Sequence, residues 1–264
     1  MSDAFKDTGP ATAGEALASI VAAFSGAQTV VTMPAVCLPV LTQAARLKPR
    51  PDGLFAFTAP NKAVRRCGWV ERLLALMLLV LFLPFFLVLA ALVLTCEGTP
   101  VFFRQKRYGF NGMPFTVFKF RTMMRRSECL HEKLQQKLGH DDRLFKLERD
   151  PRVTRLGVFL RGTFLDEWPQ LLNVARGEMR FIGPRPLPAS DQRHYTRPCH
   201  ALRLQGLPGI TGLWQVSGRN ERTFDEMCLL DCYYLCHRTL AMDLWLLMRT
   251  VRVVLKEICL ARKP

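Results

Sequence analysis

The part of the sequence that most constrains the fold is an apolar run without a charged side chain, residues 73–94. A helix of this length can span the hydrocarbon core of a bilayer, which is about 30 Å thick. The alternative, a buried core helix, is less favoured because helices of soluble proteins usually keep a polar face. Pro84 lies at the middle of the run. Because proline removes a helical hydrogen bond, we expect the helix to bend there.

Basic residues flank the apolar run on both sides. They are Arg65, Arg66 and Arg72 before the run and Arg104, Lys106 and Arg107 after it. Since basic residues favour the cytoplasmic side of a membrane, both ends are predicted on that side. A segment that bends at Pro84 and returns satisfies this prediction, because an arm of about eleven residues reaches about 16 Å, or one leaflet. We therefore expect a re-entrant helix and keep a simple transmembrane span as the alternative.

The overall composition indicates the kind of partner. The 264 residues carry a net charge of +15, which indicates an anionic partner: nucleic acid, a membrane surface or a phosphorylated substrate. Nine cysteines, an odd number without the dense spacing of a small secreted domain, indicate reduced thiols in the cytosol. Cys228, Cys232 and Cys236 recur every four residues. Cysteines on such a stripe are far more often core residues than metal ligands.

The chain divides into three parts by composition. Residues 1–66 are rich in Ala, Thr, Gly and Pro and are predicted to be a poorly ordered leader. Residues 67–97 hold the bent membrane helix, and residues 98–264 are predicted to form a small cytoplasmic domain. The predicted fold class is therefore α+β and predominantly helical, in a monotopic membrane protein.

Several elements of the last part can be predicted from local patterns. Alternating apolar residues around an Asn-Gly turn indicate a β-hairpin. The predicted elements are that hairpin over 101–121, a charged helix over 127–148, a helix over 187–204, and two helices within 224–256 that join near residues 237–241.

Two adjacent carboxylates, Asp166 and Glu167, come just before Pro169 in a helix predicted over residues 167–175. Because proline fits the first turn of a helix, Asp166 is expected at or next to the N-cap. One carboxylate is enough to cap a helix. In that interpretation Glu167 contributes only a small favourable interaction with the helix dipole. Paired acids at a helix N-terminus are also suited to a metal-bridged phosphate. The local sequence leaves both interpretations open.

A stiff turn follows, in which Arg185 lies between Pro184 and Pro186. The two prolines fix φ on either side, so the guanidinium is presented from a backbone with little freedom. Arginine in such a position is suited to bidentate contact with phosphate. Lys119 and Arg121 add positive charge that suits phosphate or, alternatively, a solvated surface near anionic lipid.

Taken together and in this order, these motifs resemble the monotopic phosphoglycosyl transferases, the bacterial sugar transferases that start glycan assembly on a polyprenyl phosphate. The resemblance covers the chain from about residue 65 to its C-terminus. The motifs that carry it are the Pro84-broken apolar segment and residues 118–123, 161–170, 173–174, 177–179, 183–186, 208–215 and 217–219, with Asp231, Tyr234 and Asp243 in the tail.

The resemblance implies an enzyme of the bacterial inner membrane, facing the cytoplasm, that takes a UDP-sugar and Mg²⁺. Members of the family move the sugar-1-phosphate onto undecaprenyl phosphate and release UMP, which starts exopolysaccharide, capsule or O-antigen synthesis. By resemblance, Asp166 is the nucleophile that forms an aspartyl phosphosugar intermediate, and Glu167 is its partner in the dyad. Both are also the candidate Mg²⁺ ligands. The predicted substrate-binding residues are Lys119, Arg121, Arg161, Pro184, Arg185, Pro186 and Arg219.

Three residues depart from the family pattern. Leu83 precedes the membrane proline where Ser is frequent, Phe164 stands before Leu-Asp-Glu where Ser is common, and Arg180 follows Met179 where Ser is usual. These departures bear on the packing of the dyad and on substrate preference.

Two other functions were weighed against a transferase. An inactive membrane scaffold of a polysaccharide assembly complex need not keep the dyad together with Arg185 and Arg219, and this chain has all four residues. A nucleic-acid binder predicts basic residues interleaved with exposed aromatic ones. Here the aromatic residues concentrate in the membrane run and the predicted core strands, so we expect no nucleic-acid partner. A homo-oligomer is left open.

Overall fold

The computed structural model describes residues 67–125, 127, 150–188, 200, 202–218 and 223–261, with the backbone of residues 29–32 and 54–57. The latter are strands β1 (Thr29–Thr32) and β2 (Leu54–Phe57), which pair antiparallel within the predicted leader. The rest of residues 1–66 lies outside the described residues. So do Arg219 and almost all of the helix predicted over 127–148.

The apolar run forms two helices, α1 (Trp69–Leu81) and α2 (Leu83–Glu97), separated by Phe82. Their axes differ by 63°, so the predicted bend is confirmed. Pro84 lies in the first turn of α2, where its missing N–H breaks no helical hydrogen bond. By length and composition the bent pair can cross a membrane, whereas among the described helices none does so alone.

Most of the surface of this helix pair is apolar and exposed. Its buried residues are Ala75, Leu89 and Val93. The exposed apolar side chains include Trp69, Val70, Leu73, Leu74, Leu76, Met77, Val80, Leu81, Leu83, Phe85, Leu87, Val88, Leu92 and Leu94. Soluble proteins rarely expose so large a continuous apolar patch, whereas lipid accommodates it. One face of the helix pair thus packs on the protein and the others suit contact with lipid.

After the helix pair, strands β3 (Phe102–Tyr108) and β4 (Pro114–Phe120) form an antiparallel hairpin, as predicted. A short 3₁₀ turn joins them, and Asn111 in it has a φ of 53°, which asparagine tolerates better than most residues. The hairpin carries Lys119 on its second strand. The register of the hairpin shows which side chains lie on the same face: Phe103 lies opposite Lys119, and Arg107 lies opposite Phe115.

The dyad segment is folded differently from the prediction. After helix α3 (Arg155–Gly162), residues Leu165–Gln170 form a 3₁₀ helix, and helix α4 (Leu171–Arg176) begins only beyond it. Pro169 lacks an N–H and crowds the turn before it, which explains why the α-helix starts after the proline. Asp166 therefore lies in the first turn of the 3₁₀ helix, whose N-cap is Phe164. Gly177, with a φ of 81°, ends α4.

Short strands then bring the chain back to the hairpin. They are β5 (Arg180–Ile182), β6 (Leu187–Pro188) and β7 (Gly209–Thr211). Strand β6 pairs with β3 at the edge of the hairpin sheet, and β5 pairs with β7 in parallel. The prediction of a helix starting at residue 187 is wrong, because Pro188 lacks a donor and fits an edge strand. Residues 189–199 of that predicted helix lie outside the described residues.

The C-terminal part is helical. Its elements are α5 (Leu213–Val216), α6 (Phe224–His237) and α7 (Leu240–Ala261), so the two predicted tail helices are confirmed. Cys228 and Cys232 are buried in the main hydrophobic core on α6, and Cys236 packs against that core half-buried. These positions confirm the interpretation of the cysteine stripe as core.

Polar contacts join the start of α1 to the domain. Arg180 on β5 donates from Nε to Glu71 Oε2 at 2.9 Å and from Nη2 to Glu71 Oε1 at 3.1 Å. Arg72 Nε donates to the carbonyl of Ala175 at 3.1 Å, near the end of α4. The side chain of Arg180 is 5% exposed and that of Glu71 is 24% exposed. Arg180, one of the residues expected to depart from the family pattern, is thus a buried ion-pair partner of α1.

We expect Glu71→Gln to destabilise the protein by about 2 kcal/mol, because it removes the carboxylate that forms an ion pair with the buried Arg180 guanidinium. The partial exposure of Glu71 keeps this loss below that of a fully buried pair. The double variant Glu71→Gln/Arg180→Ser removes the buried positive charge as well and should recover most of that loss. Thermal unfolding in detergent measures both. A double variant that is less stable than Glu71→Gln alone would contradict this assignment.

Candidate active site

Asp166 and Glu167 have different environments although they are adjacent. Asp166 is 8% exposed, whereas Glu167 lines an open cleft. Burial, followed by the negative charge of Glu167, raises the pKa of Asp166 to about 6, and the positive charges of Lys119 and Arg161 oppose this rise. Asp166 is therefore mostly ionised at neutral pH and can act as a carboxylate despite its burial.

Glu167 is held by a cation from the hairpin. Lys119 Nζ lies 2.6 Å from Glu167 Oε1, and both side chains are 20% exposed. The two residues are 48 positions apart in the sequence. This charge-assisted contact joins β4 to the 3₁₀ helix that carries both carboxylates.

Arg161 supplies a second cation from the end of α3. Its Nε donates to Thr122 Oγ1 at 2.8 Å, which fixes the guanidinium next to the hairpin. Burial lowers the pKa of Arg161, and the charges of Asp166 and Asp150 oppose that effect. Arg161 thus interacts electrostatically with Asp166, while its role in substrate binding stays a prediction.

A cleft of about 280 Å³ lies beside the ion pair. Four predicted site residues come together there. The lining residues are Arg107, Val117, Lys119, Glu167, Gln170, Arg185, Pro186, Gly209, Ile210 and Gln215. The cleft thus combines positive charge, one carboxylate, two carboxamides and an apolar wall. Such a mixture suits an anionic ligand that also carries uncharged polar groups.

The sequence analysis gave no site role to Arg107, Gln170 or Gln215. The signal for Arg107 was available in the predicted hairpin, because alternate residues of paired strands share a face. In the observed register Arg107 opposes Phe115, which lies on the same face of β4 as Lys119. Gln170 and Gln215 carry no comparable local signal, since their placement depends on the packing of distant segments.

The turn that presents Arg185 is held by two other arginines. Arg203 donates from Nη2 to the carbonyl of Arg185 at 2.6 Å and is ion-paired with the fully buried Asp231. Arg107 Nη1 donates to the carbonyl of Pro186 at 2.7 Å. The Arg185 guanidinium lies 5.3 Å from the centre of the Trp214 ring, in a cation–π contact. These contacts add to the restriction that the prolines impose.

Gly209 lets this turn approach β7. Its N–H donates to the carbonyl of Pro184 at 2.9 Å. A Cβ at position 209 would lie 2.0 Å from the backbone nitrogen of Gly183, closer than any side chain permits. Glycine is therefore required at position 209 for the backbone of the buried Pro184 to lie within hydrogen-bond distance of β7.

Three other predicted substrate-binding residues, Arg121, Arg161 and Pro184, are not among the residues that line the cleft. Arg121 is buried and its Nη2 donates to the carbonyls of Glu97 and, at 2.7 Å, Gly98. It thus satisfies carbonyl groups at the end of α2. This contact was not predicted, and a role of Arg121 in substrate binding stays a prediction. Arg219 lies outside the described residues, so its predicted role is untested.

The dyad can contribute to a metal site but does not form a complete one. Among the described residues, no group of three or more His, Cys, Asp or Glu side chains is arranged to hold a metal ion. One oxygen of Glu167 already contacts Lys119. Mg²⁺ is commonly held by one or two carboxylates together with substrate phosphates. The two carboxylates fit a metal shared with a phosphorylated substrate rather than a cage made by protein alone.

The fold joins a cleft lined by positive charge to an exposed apolar helix pair. The chain belongs to the bacterial sugar transferase family, whose profile matches residues 61–257. The resemblance inferred from its motifs is thereby confirmed.

Similar proteins of known name agree with this membership. The chain is 40% identical over 209 residues to the exopolysaccharide production protein ExoY of Rhizobium meliloti, covering 76% of this chain and 90% of that protein. It is 39% identical over 170 residues to the undecaprenyl-phosphate galactose phosphotransferase of Salmonella typhimurium, covering 62% of this chain and 35% of that protein. It is 36% identical over 183 residues to the UDP-glucose:undecaprenyl-phosphate glucose-1-phosphate transferase of Klebsiella pneumoniae, covering 66% and 37%.

We expect Asp166 to titrate near pH 6, well above an exposed aspartate at about 3.9. Because the folded-state pKa is raised, the folded protein takes up this proton as pH falls through about 6, and the carboxylate dominates above it. Lys119→Met removes a cation that lowers this pKa, so the midpoint should move to higher pH. Infrared titration of the carboxyl band, assigned by its loss in Asp166→Asn, measures the midpoint.

Lys106→Met is the matched control for this titration. Lys106 lies on the same hairpin, exposed and on the face opposite to Lys119, so its loss should leave the midpoint in place. A midpoint that stays unchanged or falls in Lys119→Met would contradict the electrostatic assignment.

Proposed function

We propose that this protein transfers a sugar-1-phosphate from a UDP-sugar to undecaprenyl phosphate, releasing UMP, and so starts the synthesis of an exopolysaccharide or capsule. Family membership and the names of relatives that act on undecaprenyl phosphate support this proposal. One observation carries it: the buried Asp166 carboxylate interacts with the cations Lys119 and Arg161 beside a cleft that Arg185 lines.

In the first step, a carboxylate oxygen of Asp166 attacks the β-phosphorus of the UDP-sugar. A new oxygen–phosphorus bond forms, and the bond from the β-phosphorus to the bridging oxygen breaks. UMP leaves with the bridging oxygen and its electron pair, and the sugar phosphate stays on Asp166. In the second step, a phosphate oxygen of undecaprenyl phosphate attacks the same phosphorus and the Asp166 carboxylate is released.

The charges in the cleft explain how a carboxylate can approach a diphosphate. Lys119, Arg185 and Arg107 lie along one cleft, so they can offset the negative charge of substrate and leaving group. Mg²⁺, when bound with the substrate, would supply further neutralisation of phosphate charge. Glu167, open to the cleft and adjacent to Asp166, is the residue we propose to hold it.

The lipid substrate requires the site to lie at the membrane surface. Besides the helix pair, α7 exposes apolar residues, among them Leu244, Met248, Val251 and Leu255. Arg249 and Arg252 lie on the same helix, and basic residues next to an apolar face favour anionic headgroups. We therefore place the protein on the bacterial inner membrane with its active site facing the cytoplasm. Apolar surface on two separate elements supports this placement.

The bent helix pair is proposed to be re-entrant, with both ends on the cytoplasmic side. Single cysteines at Gly68→Cys and Thr99→Cys, on a background without the native cysteines, test this topology. Both positions are exposed. In intact cells both should resist an impermeant thiol reagent and both should react with a permeant one. Reaction of one end alone with the impermeant reagent would show a transmembrane span instead.

The nucleophile is tested by Asp166→Asn. The substitution removes the ionised oxygen, so we expect UMP release to fall by several orders of magnitude, about 10³-fold or more. Because the raised pKa makes the buried carboxylate costly above pH 6, Asn should keep or raise the Tm at pH 7.5. Mass spectrometry of the wild-type protein mixed with UDP-sugar alone should find a phosphosugar on the peptide containing Asp166.

Asp225→Asn serves as the control, since Asp225 is an acid of α6 outside the cleft that pairs with His200. It should keep near-normal UMP release. Near-normal turnover of Asp166→Asn, or kinetics that require both substrates bound at once, would exclude the covalent route. A wild-type protein that releases no UMP from any UDP-sugar would favour the scaffold alternative.

A further inference from the structure

A single aromatic side chain of the membrane helix pair contacts both segments that carry the ion pair. Phe86 lies in the first turns of α2, just after the bend. Its ring centre is 6.2 Å from that of Phe120, in a stacked arrangement, and 5.9 Å from that of Trp168. Phe120 directly follows Lys119, and Trp168 directly follows Glu167. Phe86 therefore touches the sequence neighbour of each member of the ion pair.

Lys119 and Phe120 are adjacent on strand β4. Successive side chains of a strand point to opposite faces, so Lys119 lies on the cleft side and Phe120 on the side of α2. Phe120 is 1% exposed and also stacks on Phe102 at 5.2 Å. The end of β4 is thus packed between the membrane helix and the cleft.

Trp168 is held in a similar way on the other side. Its ring lies 5.0 Å from Phe82, edge to face, and 5.9 Å from Phe85. Aromatic pairs at such distances add about 0.5–1.5 kcal/mol each beyond the area they bury. Trp168 belongs to the same turn of 3₁₀ helix as Glu167. A shift of its ring relative to the helix bend therefore moves the carboxylates with it.

We propose that Phe86 is a positioning residue for the transferase reaction. Its ring sets the separation between β4 and the 3₁₀ helix, and thereby keeps Lys119 in contact with Glu167 beside the nucleophile. Phe86 itself touches no reacting atom. The kinetic part of this proposal rests on the proposed function, whereas its structural part, the coupling of Phe86 to the Lys119–Glu167 contact, does not.

The kinetic test compares Phe86→Leu with Phe85→Leu. The two residues are neighbours on α2 and both lie 5.9 Å from Trp168, while the stacking contact with Phe120 is made by Phe86. Because small misplacements of catalytic groups are costly, Phe86→Leu should lower kcat for UMP release by about tenfold or more, with KM for the UDP-sugar changed less than about twofold. Phe85→Leu removes a contact with Trp168 but keeps the stacking of Phe86 on Phe120, so it should lower kcat less than Phe86→Leu does. Phe86→Tyr keeps the ring and should restore kcat.

A second measurement needs no substrate. In a double-mutant cycle, Lys119→Met and Glu167→Gln should shift the Tm non-additively, because they remove the same contact. This non-additivity should disappear in a Phe86→Leu background and persist in a Phe85→Leu background. If Phe86→Leu does not fold, Phe86→Met takes its place in both measurements.

Equal kinetic effects of Phe86→Leu and Phe85→Leu, or non-additivity that survives in Phe86→Leu, would overturn the proposal. An effect on KM alone would do the same, because it would indicate a role in substrate binding. The two failures can be told apart. The proposed function fails if the wild-type protein releases no UMP, whereas the Tm cycle tests the coupling of Phe86 to the Lys119–Glu167 contact whether or not UMP is released.

Discussion

The structure depends on the attachment of the apolar helix pair to the domain that carries the dyad. Three contacts of different kinds make this attachment along the length of the pair. At the start, Glu71 forms an ion pair with Arg180; at the bend, aromatic rings pack on Trp168; at the end, Arg121 binds the last carbonyls of α2. The outer faces of the pair suit lipid, and these contacts fix the position of the dyad relative to that apolar surface.

The buried carboxylate of Asp166 lowers the stability of the folded domain at neutral pH. An aspartate with a pKa raised by burial destabilises the fold at neutral pH, where it is ionised, and less so as pH falls through about 6. Lys119 and Arg161 reduce this cost by favouring the ionised form. The same two cations therefore favour the ionised carboxylate and reduce the free energy that its burial costs the folded protein.

The three departures from the family pattern lie along this same attachment. Arg180 pairs with the membrane helix, and Leu83 begins α2 next to the bend. Phe164 caps the 3₁₀ helix of the dyad with a φ of 58°, a conformation uncommon for a bulky residue. The positioning role proposed for Phe86 belongs to the same region, where the helix pair and the dyad segment meet.

The sequence by itself determined the features that depend on the backbone conformation of a few neighbouring residues. Pro84 fixed the bend, the Asn-Gly turn fixed the hairpin, Gly177 ended α4, and the Gly-Pro-Arg-Pro turn set out Arg185. The tertiary structure decided the rest: the contact of Lys119 with Glu167 across 48 positions, the entry of Arg107 and Gln170 into the cleft, and the use of Arg121 at the end of α2. Local signals specify φ, ψ and hydrogen bonds over a few residues, whereas these contacts exist only after separate segments have packed together.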